Sequence, residues 1–257
     1  MGNLVGNKAV LTVEYEGTAY HGFQWQRGLP TIQGEFESAI TKLTGEKRRV
    51  VSASRTDAGV HAKEQVVCFR SGCGLAEDSL VTGLNHFLPD DISVKKAWWV
   101  GEGFNVQKDP VRREYSYRIW LSSTRAPLRQ RFCHVISGSI DIVAISRACG
   151  YLEGEHDFAS FASDMDVEEP RSTVRRVYRA GVSGRENLIV FNIMASAFLR
   201  HQVRNTVGVL LTIGRGRAEP EVINRLIAER RFGLAGPQVP ARGLCLVKVS
   251  YPGNILE

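Results

Sequence analysis

The sequence predicts an α+β protein made of two halves of the same kind, and three observations lead there. Apolar residues alternate with polar ones in several short segments, the mark of half-buried strands. Between them lie stretches whose apolar residues recur every three or four positions, as on a helix with one face against a core. In the first half these patterns follow as strand–helix–strand–strand–helix–strand, the order of a ferredoxin-like or RNA-recognition-motif unit. The second half repeats the logic.

Residues 8–16 place Leu11, Val13 and Tyr15 on one face of a strand and Thr12, Glu14 and Glu16 on the other. The run from Tyr15 to Gln26 then holds two glycines, four aromatic residues and two amides, a composition that suits a loop pinned by buried rings. Thr31 caps a helix striped by Ile32, Phe36, Ala39, Ile40 and Leu43. Lys47-Arg48-Arg49 reads as a solvated connection, and Val66 to Phe69 as the apolar part of the next strand. Leu80, Leu84, Phe87 and Leu88 stripe a second helix closed by Pro89. Ile92, Val94 and Trp98-Trp99-Val100 make another strand.

Residues 103–113 are the expected hinge, which divides the chain into 1–105 and 106–257. Beyond it, Tyr115, Tyr117 and Ile119 alternate with Ser116, Arg118 and Trp120 along a strand from Glu114 to Leu121. Ile142, Ile145, Cys149 and Leu152 share one helix face. Residues 172–180 and 187–195 predict a hairpin about Ser183-Gly184. A helix over 198–213 carries Leu199, Val203, Val207 and Leu210, and a shorter one carries Val222, Ile223, Leu226 and Ile227. Leu244 to Tyr251 is the last strand.

Composition narrows the function classes. A chain of 257 residues, 43% hydrophobic and 23% charged, can bury a real core and is not of disordered type. Lys and Arg number 33 against 27 acids, a formal +6 that favours a polyanionic partner. The five cysteines (Cys68, Cys73, Cys133, Cys149, Cys245) form no CxxC pair, so neither a zinc knuckle nor a disulfide framework is readable. They read as reduced thiols, mostly in the core, of a cytoplasmic protein. The amino terminus lacks a charged-then-apolar signal pattern, and Gly6 stands where a myristoylation motif needs Ser or Thr. No apolar run approaches the ~20 residues that span a bilayer, so a soluble protein is expected.

The six histidines (His21, His61, His86, His134, His156, His201) show no metal-ligand spacing. A serine-nucleophile elbow, a GxGxxG loop and a Walker lysine loop are absent as well. Any chemistry is therefore expected to run with no metal, nucleotide or redox cofactor, which favours a carboxylate acting alone.

One stretch offers that carboxylate: Ser54-Arg55-Thr56-Asp57-Ala58-Gly59-Val60-His61-Ala62. Asp57 lies between the cationic candidates Arg55 and His61, in a turn that Gly59 makes accessible. Arginines crowd the second half: Arg112 and Arg113; Arg125, Arg129 and Arg131; Arg171, Arg175, Arg176 and Arg179; Arg200 and Arg204; Arg215 and Arg217. As a set they suit an RNA backbone, because the planar guanidinium forks onto phosphate. Arg200 and Arg204, four apart, are expected on one helix face at the edge of a core, where an arginine usually meets a carboxylate such as Asp57.

Ser54 to Ala62 is similar to the nucleophile loop of the tRNA pseudouridine synthase A (TruA) family, and further motifs follow in order. Tyr15 to Gln26 resembles that family's opening loop, and Thr31-Ile32-Gln33-Gly34 its next helix start. Leu84-Asn85, Leu88-Pro89 with Asp91-Ile92, Arg113 to Tyr117, Asp157-Phe158 with Ser160-Phe161, Phe198 to Gly208 and Gly243-Leu244 continue the series.

The resemblance implies a pseudouridine synthase fold, whose two halves form a mostly antiparallel central sheet flanked by helices. It implies isomerisation of uridine to pseudouridine at positions 38–40 of the tRNA anticodon arm, without a cofactor. It places Asp57 as nucleophile, with Tyr115 and Arg204 beside it in the catalytic set. Tyr115, Arg55, Arg204 and Leu244 are expected to meet the substrate, and the family suggests a homodimer. Asp57 lies in the half 1–105, Tyr115 and Arg204 in the half 106–257. Two departures stand out: Phe104-Asn105-Val106-Gln107 replaces the usual Phe-His-Ala-Arg, and Gln202 stands where Met is frequent. The residues alone also accommodate a non-catalytic tRNA-binding or tRNA-folding protein, or an N-glycosidase-like hydrolase. Attack by Asp57 at uracil C6 or at C1′ of the sugar stays open.

Overall fold

A computed structural model describes residues 7–163, 172–254 and 256, so Gly6 and Arg171 lie outside the described residues. Contacts group the chain into two compact units, Met1–Val111 with Cys245–Glu257, and Arg112–Leu244. The sequence division at 105/106 lies a few residues before that boundary and assigns the last strand to the second half. In the first unit β10 (Leu244–Ser250) pairs in parallel with β3 (His61–Arg70) through Cys245 and Leu246, opposite His61 and Ala62. Tyr251 also donates its hydroxyl to Val106 O at 2.8 Å.

In the first unit, β1 (Lys8–Tyr15) lies between β3 and β4 (Ile92–Val100), antiparallel to both. Ala9, Val10, Leu11 and Val13 are all fully buried, so both faces of this central strand are covered. A two-residue strand, β2 (Val51–Ser52), extends the sheet beside β3. It completes the predicted strand–helix–strand–strand–helix–strand order. Helix α1 (Ile32–Thr44) starts where expected: Thr31 Oγ1 accepts from Gly34 N at 3.2 Å. It ends at Gly45, whose φ of 75° is one that glycine tolerates. Helix α2 (Glu77–Phe87) buries Leu80 and Leu84 and stops before Pro89.

The second unit has the antiparallel sheet β5 (Arg112–Leu121), β9 (Leu188–Ala195), β8 (Val174–Arg185) and β7 (Gly154–Asp157), in that spatial order. A short strand, β6 (His134–Ile136), runs parallel to β5. Helices α3 (Ile142–Gly150), α4 (Gln202–Gly214) and α5 (Val222–Glu229) complete it. The α+β class is as the sequence predicts, and within each unit the strand pairs are mostly antiparallel.

Two expectations need correction. The β8–β9 turn is Glu186-Asn187, with Glu186 at φ 54°, whereas Ser183 and Gly184 are paired inside the ladder with Val190 and Ile189. The ladder keeps adding hydrogen bonds through residues whose composition alone reads as a turn. Helix α4 begins at Gln202 instead of Phe198, because His201 takes φ 62° and halts helical winding upstream. Strands β6 and β7 carry too few residues for their alternation to be read.

Cys68, Cys133 and Cys149 are buried, and burial pushes the Cys68 thiol up to about 11 and the Cys149 thiol up to about 12. Those thiols fill space and are poor nucleophiles. Among the described residues no helix is long and apolar enough to cross a membrane.

Gly208, inside α4, faces the carbonyl of Pro237: a Cβ there would lie 1.8 Å from Pro237 O. Gly208→Ala should therefore lower stability by about 1–3 kcal/mol, read as a lower denaturant midpoint. A gain of up to about 1 kcal/mol, which helix propensity alone predicts, would refute this packing.

Candidate active site

Asp57 sits in irregular backbone between β2 and β3, and that backbone is held from several directions. Val60 N bonds Asp57 O at 3.1 Å, closing a turn in which Gly59 takes φ 77°. Phe23 N bonds Thr56 O at 3.0 Å, and Gly59 N bonds Tyr20 O at 3.3 Å. The opening loop thus grips the backbone on both sides of Asp57. The grip requires glycine on that loop. A Cβ on Gly17 would lie 2.0 Å from Val60 O, and one on Gly22 would lie 2.9 Å from Thr56 O. Gly22 also takes φ 92°.

Beneath the turn runs a buried polar network. Tyr15 and Thr56 share a hydroxyl–hydroxyl bond of 2.7 Å. Gln65 Nε2 donates to Ser54 O at 2.7 Å and to the Tyr15 hydroxyl at 3.3 Å, while Gln65 Oε1 accepts from Ser54 N. His61 Nδ1 accepts from Gly17 N at 3.1 Å, so that imidazole buttresses the opening loop. Asp57 itself is half-buried and Arg55 is exposed. Sequence reasoning singles out neither Gln65 nor Thr56 for this network. The available signal is a glutamine beside the apolar run Val66 to Phe69; only the fold shows it to be fully buried.

The opening loop is pinned by rings, as its composition suggests: Tyr15, Tyr20 and Phe23 are buried while Trp25 is 46% exposed. Tyr20 donates its hydroxyl to Asp91 Oδ1 at 2.6 Å. Burial and that carboxylate raise the phenol well above its ordinary range, so it remains a donor.

The remaining predicted residues lie in the second unit. Tyr115 is buried on β5, opposite Ile193, with its ring edge-on to Phe198 at 5.1 Å. Arg204 stands in the first turn of α4 and donates from Nε to Val239 O at 2.9 Å, which orients the guanidinium. Leu244 is buried as the first residue of β10. Tyr117 donates its hydroxyl to Pro240 O at 2.7 Å, and Gly243 has no room for a Cβ against the Tyr117 ring and Arg118 O. The segment before β10 is thereby moored to β5 and α4. Val239 and Pro240 contribute only carbonyls, so no side-chain motif announces them.

Arg200 does not share a helix face with Arg204, because it precedes the helix in a turn and is exposed. Gln202, at the unusual position, accepts from Leu199 N through Oε1 at 2.8 Å and so shapes the entry to α4. Asn105 also shapes its own turn, since its Oδ1 accepts from Gln107 N and Lys108 N, both at 3.0 Å. Asparagine suits that turn. Among the described residues no group of three or more His, Cys, Asp or Glu side chains is arranged to hold a metal ion.

A family model described as tRNA pseudouridine synthase matches residues 11–107 and 148–252 of this chain. A tRNA pseudouridine synthase A of Chloroflexus aurantiacus is 39% identical over 252 residues, covering 96% of this chain and 90% of its own. One from Roseiflexus castenholzii is 40% identical over 248 residues, covering 94% and 90%. Another, from Moorella thermoacetica, is 39% identical over 244 residues, covering 94% and 98%. The chain belongs to the tRNA pseudouridine synthase A family, as its ordered motifs imply. It is an isomerase that modifies tRNA.

The two-sided grip on the Asp57 backbone has a measurable consequence. Gly22→Ala introduces both a contact with Thr56 O and an unfavourable φ, so the turn must shift. Turnover should fall at least tenfold, about the cost of misplacing a reacting group by a fraction of an ångström. Circular dichroism should still show a folded chain. Full turnover in this variant would show that the loop–loop contact does not position Asp57.

Proposed function

We propose that this enzyme isomerises uridine to pseudouridine at positions 38–40 of the tRNA anticodon stem-loop, with Asp57 as nucleophile. The observation that carries the reading is the clamped Asp57 turn: a half-buried carboxylate on backbone fixed by Phe23 N and Gly59 N. Such a group can attack uracil at C6 or the sugar at C1′. Either path breaks the C1′–N1 bond, retains the freed uracil, turns it, and rejoins it through C5. The proton on C5 leaves, and N1 gains one. Substrate and product bonds are nearly balanced, so no energy source is needed.

Tyr115 supplies a flat face and a hydroxyl near the reacting base, and Arg204 a planar cation for a carboxylate or phosphate. Arg55 and Leu244 meet the substrate as well. The base must leave its stack to react, so the reading includes base flipping. It also includes a cytoplasmic homodimer.

Asp57→Asn keeps the size of the side chain and removes the anionic nucleophile. Single-turnover pseudouridine formation should fall by at least ~10³-fold, with tRNA binding retained in a filter assay. Conversion at a comparable rate would reduce Asp57 to a turn residue. Free uracil among the wild-type products would instead indicate hydrolysis.

Arg204→Lys keeps charge but loses the fork and the Nε bond to Val239 O. Its turnover should drop by about 10²-fold while tRNA affinity changes little. Equal losses in both would make Arg204 a phosphate contact only.

A further inference from the structure

The second unit holds a cavity of about 230 Å³ that the proposed chemistry does not use. It lies between the C-terminal turn of α4 and the segment 237–240, and its polar lining is His134, Thr212, Arg215, Arg217 and Gln238. Neither Tyr115 nor Arg204 lines it. The contact with the active-site set is indirect, through Val239, which lines the cavity and accepts from Arg204 Nε.

The charge around this cavity has one sign. Arg215 and Arg217 reach it from the end of α4, and no Asp or Glu is among its lining residues. His134 lines the cavity, and its Nδ1 is buried with no hydrogen-bond partner. Burial, then the guanidiniums of Arg242 and Arg215, hold the His134 imidazole below its ordinary range. The carbonyl end of α4 does not offset those cations, because it is already capped. Arg215 N, Gly216 N and Arg217 N bond Leu211 O, Ile213 O and Thr212 O at 3.1, 2.8 and 3.0 Å.

A buried polar nitrogen without a partner is costly unless something fills its bond. An anion in the cavity would sit beside the imidazole and also meet the guanidiniums of Arg215 and Arg217, which water cannot pair as a counter-charge. The cavity is smaller than the ~300 Å³ at the low end of drug-sized ligand sites. It therefore suits a single phosphate group and not a whole nucleotide.

We propose that this cavity is a phosphate-binding site, and that it seats a backbone phosphodiester of bound tRNA apart from the catalytic residues. The tRNA part rests on the function proposed above, while the phosphate part stands on the cavity alone. Arg215, Arg217 and Arg242 are exposed and flank an anion entering from solvent. His134 flanks it from the cavity wall. The anion favours the imidazolium, so binding should tighten as pH falls from about 8 toward about 6.

The test uses the full chain and two probes. The His134 imidazole resonance, assigned by its loss in His134→Gln, is followed by NMR during titration with inorganic phosphate. Phosphate should shift it and raise its midpoint. Separately, tRNA affinity is measured against salt for wild type and for Arg215→Gln/Arg217→Gln. The double variant should bind tRNA about tenfold more weakly, and its salt slope should be shallower by about 1 to 2. Thermal melts confirm that it remains folded.

A phosphate response with unchanged tRNA affinity would assign the cavity to free phosphate and overturn its tRNA role. Weaker tRNA binding with no phosphate response would place the arginine contacts outside the cavity and overturn the site. No change in either measurement would overturn the proposal entirely. None of these readouts requires pseudouridine formation, so their failure is distinct from a failure of the Asp57 mechanism.

Discussion

The active-site loop depends on the close approach of two stretches of irregular backbone, the opening loop and the Asp57 turn. Apart from single turns at Gly17–Ala19 and Asp57–Val60, neither has a ladder or helix to satisfy its own peptide groups, so each supplies partners to the other. Phe23 N reaches Thr56 O and Gly59 N reaches Tyr20 O only because residues 17 and 22 lack side chains. Hydroxyl and amide groups from β1 and β3 then lock the turn from below: Tyr15 on Thr56, and Gln65 on Ser54. A carboxylate mounted in this way is carried on backbone with little freedom of its own. Rigid strands thus lend their precision to a loop that has none of its own.

The second unit solves its local problem similarly. The strand β5 and the helix α4 are the rigid parts, and the irregular segment 235–243 is packed against them. Gly208 admits the Pro237 carbonyl, Gly243 admits the Tyr117 ring, and Arg204 Nε and the Tyr117 hydroxyl bind carbonyls of Val239 and Pro240. Arg204 therefore holds the segment before β10 through its own Nε, a structural use of the guanidinium's fork geometry.

Charge is distributed with the same economy. Arginine rather than lysine populates the second half, consistent with an RNA substrate whose phosphates take bidentate donors. Burial silences Cys68 and Cys149 as nucleophiles, and it keeps Tyr20 and Tyr117 protonated. The carboxylate at Asp57 is half-buried and keeps part of its surface open to solvent.

Much of this is legible in the sequence. Period-two alternation in β1 and β5 and the stripes of α1 and α2 reflect burial of one face, which a linear pattern records directly. The Thr31 cap is as local, and the ordered motifs identify the family. What the sequence could not supply depends on partners distant along the chain. Gln65 looks like a solvent-facing strand residue until β1 and the Ser54 backbone surround it. Val239 and Pro240 act through carbonyls that every residue possesses. The start of α4 is set by the φ of His201, so Arg200 leaves the helix although its spacing to Arg204 is helical. The last strand groups with the first unit, where it pairs with β3, a strand far away along the chain. Local propensity and one-faced burial are properties of a segment and can be read from it; backbone partners, mutual glycine contacts and buried polar networks come into being only when segments meet.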